Sequence, residues 1–305
     1  MGQGKAAEMF TKLRGLLMVA PPIVVIALFV GFPIVSGVMY TLGHTGGANE
    51  TIASIAQHQH VSTGGLGTLD AYRDVFGDNQ FRRSLVATIV VTLVSVVVVM
   101  VLAWGIALYL RLANNWVAKT LAALAVVPMF IPVVIASYAI LTFYAGDGFL
   151  KTMASQLGWS DAPVLSYKMS AVGLGSIWVS LPFAVLMIAS GLAGVPNGLI
   201  EAARDAGASM TRTVWSVLLP LTLVPTVIAA TFTAIGILGS FTLPYIVGPT
   251  APNLLGPIMA NTYSAYNQPQ QSEVMAVVVF GLAAVAGVAY VWANFRAAKR
   301  SGATR

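Results

Sequence analysis

Residues 85–110 read LVATIVVTLVSVVVVMVLAWGIALYL, an unbroken apolar run without a charged side chain. Crossing about 30 Å of hydrocarbon as a helix takes roughly 20 such residues. Lipid offers the backbone no hydrogen-bond partner, so a run of this kind must satisfy its own N–H and C=O groups as a helix. Working outward from it, five more stretches reach the same length: 16–40, 120–145, 171–193, 221–247 and 274–295. The chain shows no alternation of barrel type. The expectation is an all-α, polytopic membrane protein with six transmembrane helices, forming a single domain over 1–305.

Composition agrees. The chain is 57% hydrophobic and 9% charged, with a mean hydropathy of +0.83, whereas soluble domains carry about a quarter charged residues. It has no cysteine, which excludes disulfides, thiol catalysis and cysteine-ligated metals. Lys5, Lys12 and Arg14 precede the first stretch, but that stretch is nearly twice the length of a signal's apolar region of about 7 to 15 residues. It reads as a retained first helix.

The formal charge of +6 is a topology signal rather than a nucleic-acid surface. With the amino terminus inside, Lys5, Lys12, Arg14, Arg111, Lys119, Arg204, Arg212, Arg296, Lys299, Arg300 and Arg305 are cytoplasmic. Only Arg73, Arg82, Arg83, Lys151 and Lys168 fall outside, a bias of eleven to five. Acidic residues reverse it, with Glu50, Asp70, Asp74, Asp78, Asp147, Asp161 and Glu273 outside. The expected location is a bacterial inner membrane with both termini cytoplasmic. The long outer loop, about 42–84, is Gly-rich and then carries residues 68–76, TLDAYRDVF, expected as a short surface helix. His44, His58 and His60 lie in this loop; His58 and His60 are two apart with no nearby acidic partner, so solvated loop residues are expected rather than metal ligands.

An inner loop, 194–220, separates the fourth and fifth helices. Pro196 and Gly198 stop the membrane helix, and Asn197 is a suitable N-cap for a new one. Leu199, Ala202, Ala203 and Ala206 recur at i, i+3, i+4 and i+7, predicting one face of small apolar side chains opposite Glu201, Arg204 and Asp205. Gly207 suits the left-handed position that ends such a helix, and Ser209 can cap a second one running through Arg212, Trp215 and Val217 toward Pro220. Glu201 and Asp205, four apart, repel each other unless Arg204 or a basic partner compensates.

The run 200–209, IEAARDAGAS, followed after nine residues by Val217-Leu218-Leu219-Pro220, resembles the EAA motif of binding-protein-dependent ABC importer permeases, with Val217 where isoleucine is usual. Asp70-Ala71-Tyr72, residues 81–85 (FRRSL) and Val195-Pro196 are similar to segments of the same superfamily. The resemblance implies a type I ABC importer permease fold. It also implies that Glu201, Ala202, Ala203, Asp205 and Gly207 couple to a cytoplasmic ABC ATPase dimer, with Glu201 the polar anchor and Gly207 the turn. ATP-driven closure of that dimer would switch the helices from inward-facing to outward-facing, where an external binding protein delivers solute. Two permease subunits per complex follow from the family, the second expected as a different chain. No G-x-x-x-x-G-K-[ST] motif occurs, so no cofactor is expected on this chain. ATP and Mg would sit on the partner ATPase, and the chain itself is not an enzyme.

Residues 236–249, GILGSFTLPYIVGP, resemble the matching stretch of the spermidine/putrescine-type branch, which implies a polyamine-type solute. Gly236, Gly239 and Ser240 permit close helix contact, while Pro244 can kink the helix and free a carbonyl toward a cavity. Tyr144, Trp178, Ser240, Phe241, Pro244 and Tyr245 are the candidates for the translocation path, with Asp147 and Glu273 near its expected entrance. The six apolar cores contain no Asp or Glu, which an ammonium cargo would favour. The alternative is an importer permease for another solute, such as an aminophosphonate, iron, an amino-acid derivative or a sugar. A secondary transporter would show intramembrane charge or repeated halves, and a membrane enzyme would need a metal cluster or a nucleophile elbow. Neither pattern is present in the sequence.

Overall fold

The computed structural model describes residues 15, 17–44, 56–62, 65, 67–113, 115–159 and 161–300. Lys5, Lys12, Arg14, Glu50 and Arg305, which entered the topology count, lie outside the described residues. The described residues form helices and no strand, as the apolar runs require. Four helices are long and apolar enough to cross a membrane: α1 (Leu17–Thr41), α3 (Asn79–Ala113), α7 (Met169–Ala193) and α13 (Pro269–Arg300). Two bent pairs bring the number to as many as six if each is one span: α4 (Trp116–Phe130) with α5 (Val133–Phe143), and α9 (Met210–Leu221) with α10 (Leu223–Leu238). Shorter helices are α2 (Asp70–Gly77), α6 (Phe149–Gln156), α8 (Asn197–Asp205), α11 (Thr242–Val247) and α12 (Leu255–Ser264).

Two of the expected spans are corrected. The stretch 120–145 is not one straight helix, because Ile131-Pro132 breaks it and the halves meet at 107°. Pro132 has no N–H to continue the ladder, and residues before proline avoid helical backbone angles. The stretch 221–247 is likewise broken. It bends by 74° at Thr222, ends at Leu238, and restarts as α11 after Gly239 and Ser240. A five-residue π segment, Val214–Leu218, precedes Pro220 in α9, a local accommodation of the kind found beside prolines and functional bends.

The described residues divide into two compact units. One comprises residues up to Gly77 together with Asn261–Val277. Its α1 exposes Met18, Ile23 and Phe29, an arrangement suited to lipid contact. Polar side chains tie the rest together. The fully buried Gln270 accepts from the His60 N–H at 2.8 Å and donates to the carbonyls of Tyr40 and His60, each at 2.9 Å. Glu273 lays its carboxylate directly on Gly37. The expected surface helix is α2, where the Thr68 hydroxyl caps Asp70 and holds its carboxyl below the usual range, aided by Arg73.

The histidines fall in this unit, and one expectation about them fails. His60 does have an acidic partner, Asp74, at 2.6 Å, supplied by α2 fourteen positions later. His58 pairs instead with the Gln268 amide at 3.3 Å. No group of three His, Asp or Glu able to hold a metal occurs among the described residues.

The other unit, Asp78–Ala260 with residues from Val278 on, contains the main core. Val99, Ala103 and Ala107, spaced by four on α3, are buried against Ala184, Ile188 and Leu192 of α7. Small residues at this spacing let two membrane helices approach closely. Ile200 and Leu218 of the inner loop join the same cluster.

Candidate functional site

The inner loop begins where α7 runs out. Gly194 and Val195 bond back to Ser190 and Leu192, and Pro196, extended at ψ 136°, turns the chain into α8. Asn197 is therefore the first residue of α8 rather than its cap, since Pro196 occupies the cap position and no side chain bonds the first turn. The Asn197 side-chain oxygen instead accepts from Arg111. That guanidinium, at the end of α3, also donates to the carbonyls of Leu192 at 3.1 Å and Val195 at 2.9 Å. One cation thus pins three elements together: the end of α3, the end of α7 and the start of α8. In the sequence Arg111 registered only as a topology charge.

One residue between the predicted faces sets the inward side of α8. Ile200 is 7% exposed and Ala203 half-buried, so these two form the anchoring face. Leu199, Ala202 and Ala206 are exposed, as are Glu201 and Asp205. Neither carboxylate has an ion-pair partner among the described residues. The small side chains between them leave room for another backbone to come close.

The turn that follows matches its expected chemistry. Gly207 has φ +77°, a conformation that costs an L side chain roughly 1–2 kcal/mol. Its N–H bonds the Arg204 carbonyl at 2.8 Å, and the Ala208 N–H reaches the Ala203 carbonyl at 3.0 Å, a Schellman pair. Ser209 then caps α9, its hydroxyl accepting from the Arg212 N–H at 3.3 Å. The result is a helix, a two-bond turn and a second helix, all built from local sequence.

The six expected translocation residues do not gather at one place. Tyr144 and Trp178 line an apolar cavity of about 390 Å³ with Phe143 and Leu174. Ser240 and Phe241 line a separate cleft of about 280 Å³ with Ser176, Ser180 and Thr242. The two lie on different sides of α7, as Leu174 and Trp178 are out of phase with Ser176 and Ser180. Tyr245 is 58% exposed and stacks on Phe241 at 5.1 Å.

Pro244 is corrected. It kinks no helix, because it sits in the first turn of the separate α11, where a missing N–H costs nothing. Its own carbonyl accepts from Asn253 Nδ2 and the Gly248 N–H, both at 3.1 Å. What brings α11 onto α7 is Gly175, where an added Cβ would meet Leu243 at 2.7 Å.

Known proteins carry the same plan. The family model described as "Binding-protein-dependent transport system inner membrane component" matches residues 100–300. The trehalose transport permease SugA of Mycobacterium tuberculosis H37Rv is 30% identical over 238 residues, covering 74% of this chain and 73% of SugA. The spermidine/putrescine permease PotB of Escherichia coli K12 is 27% identical over 193 residues, 63% of this chain and 70% of PotB. The sulfoquinovosyl glycerol permease SmoG of Agrobacterium fabrum C58 is 26% identical over 293 residues, 92% of this chain and 90% of SmoG. Among solved structures, a bacterial ABC transporter importing alginate aligns at TM-score 0.70 and 16% identity, over 97% of this chain and 99% of that one. With four to six apolar spans and a helix-turn-helix at residues 197–221, the chain belongs to the binding-protein-dependent inner-membrane permease family of ABC importers.

Proposed function

We propose that this permease subunit couples solute movement to a separate ATPase through α8, the Gly207 turn and the first turns of α9. The observation that supports this most directly is the open face of α8. It presents Glu201 and Asp205 around Ala202, held from behind by Ile200 and by the Arg111 clamp. A like-charged pair four apart on a helix is mildly unfavourable alone and becomes favourable against a basic groove. Glu201, Ala202, Ala203, Asp205 and Gly207 are the coupling residues in this reading, and ATP and Mg belong to the partner.

The wider assembly is a cytoplasmic ATPase dimer, a second permease subunit of a different sequence, and an external binding protein that hands over solute. The excess of Lys and Arg in the sequence supports a cytoplasmic side for both termini and α8. Alternating access then follows, with closure of the ATPases drawing α8 inward and α9, already bent at Thr222, carrying the motion into α10. For cargo, the polyamine class has the likeness to PotB and the aromatic faces of Trp178 and Phe241 behind it. The saccharide class has SugA and SmoG behind it at similar identity.

The test uses the chain in proteoliposomes with its ATPase and binding protein. Glu201→Ala and Gly207→Pro are expected to insert normally, to lose most ATPase co-purification, and to abolish ATP-driven uptake. Normal uptake in both variants refutes the docking role.

A further inference from the structure

The 280 Å³ cleft between α5, α7, α10 and α11 differs from the rest of the membrane core in its chemistry. Four hydroxyl residues converge on it, Ser176 and Ser180 from α7, Ser240 from the break after α10, and Thr242 from α11. Several buried hydroxyls elsewhere turn back on their own helix, while Ser84, Thr92 and Ser95 of α3 are buried without a partner and outside the cleft. Thr88 donates to the Ser84 carbonyl at 2.7 Å, and Ser137, Thr222 and Thr226 each find the carbonyl four residues earlier at 2.7 to 2.8 Å. Ser176 does not. It is 4% exposed, it lines the cleft, and its Oγ has no hydrogen-bond partner. Thr233 repeats the pattern one turn before Gly236 on the cleft-lining face of α10, 3% exposed and unpartnered. A buried hydroxyl left unsatisfied is costly, a cost that a ligand hydroxyl in the cleft would remove.

The remaining lining fixes the class of ligand. No carboxylate and no cation is among the residues that line the cleft. An ammonium group there would lose its water without gaining a counter-charge, which is costly at membrane depth. A hydroxyl both donates and accepts, so Ser and Thr side chains pair with solute hydroxyls of either orientation at no charge cost. The Phe241 ring, held by its stack on Tyr245, offers an apolar face to the C–H side of a ring. The volume lies near the lower end of the roughly 300–1,000 Å³ of small-molecule sites, so it fits one ring-sized unit.

We infer that this cleft is a solute subsite for one uncharged, polyhydroxylated, ring-sized unit, with Ser176, Ser240 and Phe241 its principal contacts. The inference rests on the transport reading, and it chooses between the two cargo classes of that reading on chemistry.

Because the chain has no cysteine, Ser176→Cys and Ser240→Cys each introduce a single thiol that differs little in size from serine. The full chain in lipid nanodiscs is treated with N-ethylmaleimide in the presence of trehalose, of spermidine, or of neither. Ala139→Cys, in the apolar cavity, is the control. Saturating trehalose should slow labelling at positions 176 and 240 by about tenfold, the factor given by a site nine-tenths occupied. It should leave position 139 unchanged, and spermidine should protect none of them. Protection by spermidine, protection by neither probe, or equal protection at position 139 each overturns the assignment. The assay needs no ATP or ATPase, so the coupling reading stands or falls separately. Adding Gly207→Pro to either thiol variant should leave trehalose protection intact.

Discussion

The inner loop around α8 and the broken region around α11 are both interruptions of membrane helices, yet they are specified in different ways. At the loop, the helix ends have causes within a few residues: Pro196 opens α8, Gly207 closes it at φ +77°, and Ser209 starts α9. At the break, the causes are distant. α11 lies where it does because Gly175 of α7 admits Leu243, and because Asn253 takes up the Pro244 carbonyl. A locally written element can be a nearly autonomous lever, whereas an element defined by packing shares its stability with the core around it.

That contrast predicts where damage should spread. Gly207→Pro carries the largest expected effect on function, because proline is locked near φ −65° and lacks the N–H that bonds Arg204. A local cost of about 3 kcal/mol or more should abolish ATP-driven uptake while the detergent-solubilised bundle melts within a few degrees of the parent. A large loss of melting temperature would mean that the loop is not autonomous.

Gly175→Leu should show the opposite signature. Its Cβ would stand 2.7 Å from one Leu243 methyl and 3.2 Å from Ile140, so overpacking of typically 1–3 kcal/mol falls on the core. Thermal stability should drop, and labelling of a cysteine at position 240 should change with it. An unaltered melting curve would show that α11 yields without resistance, and the contrast between the two regions would collapse.

The same distinction governs how much was legible in the sequence. Helical spans were readable because lipid leaves the backbone one solution, and the turn at Gly207 was readable because capping chemistry is local. The break at Gly239 was not, since residues 221–247 read as one continuous apolar run and nothing within it announces Asn253 or Gly175. The inward anchor of α8 was not legible for a related reason. Ile200 and the alanines are all apolar, and only the packing of Val195 and Leu218 selects Ile200 as the anchor. Asp74 beside His60 and the three-way clamp of Arg111 are long-range pairings, which spacing along a chain does not encode. For the candidate solute path, the separation of the proposed residues into two cavities was not legible.

Arg111→Ala tests the seam between local and distant control. It removes charge-assisted bonds to Leu192, Val195 and Asn197, each typically worth about 1.5–3 kcal/mol. Amide exchange in 197–206 should accelerate, and more ATP should be hydrolysed per solute moved. Arg111→Lys should recover little of this, because an ammonium cannot span a forked set of acceptors. Unchanged exchange in the alanine variant would mean that Ile200 alone positions α8.

Ser209→Ala is the mildest and most local test. It removes the acceptor for the Arg212 N–H, a cap worth about 1 kcal/mol, while Thr213 still bonds the Ser209 carbonyl at 2.9 Å through its N–H and at 3.1 Å through its hydroxyl. The first turn of α9 should therefore fray without release of the helix, seen as faster exchange at Arg212 alone and a reduction of transport well below that of Gly207→Pro. Replacement by Asp, which caps equally well and suits a helix N-terminus, should restore the parent behaviour. If both Asp and the uncharged cap Asn fail where Ser succeeds, the hydroxyl has a role beyond the cap, because each supplies an acceptor to the first turn.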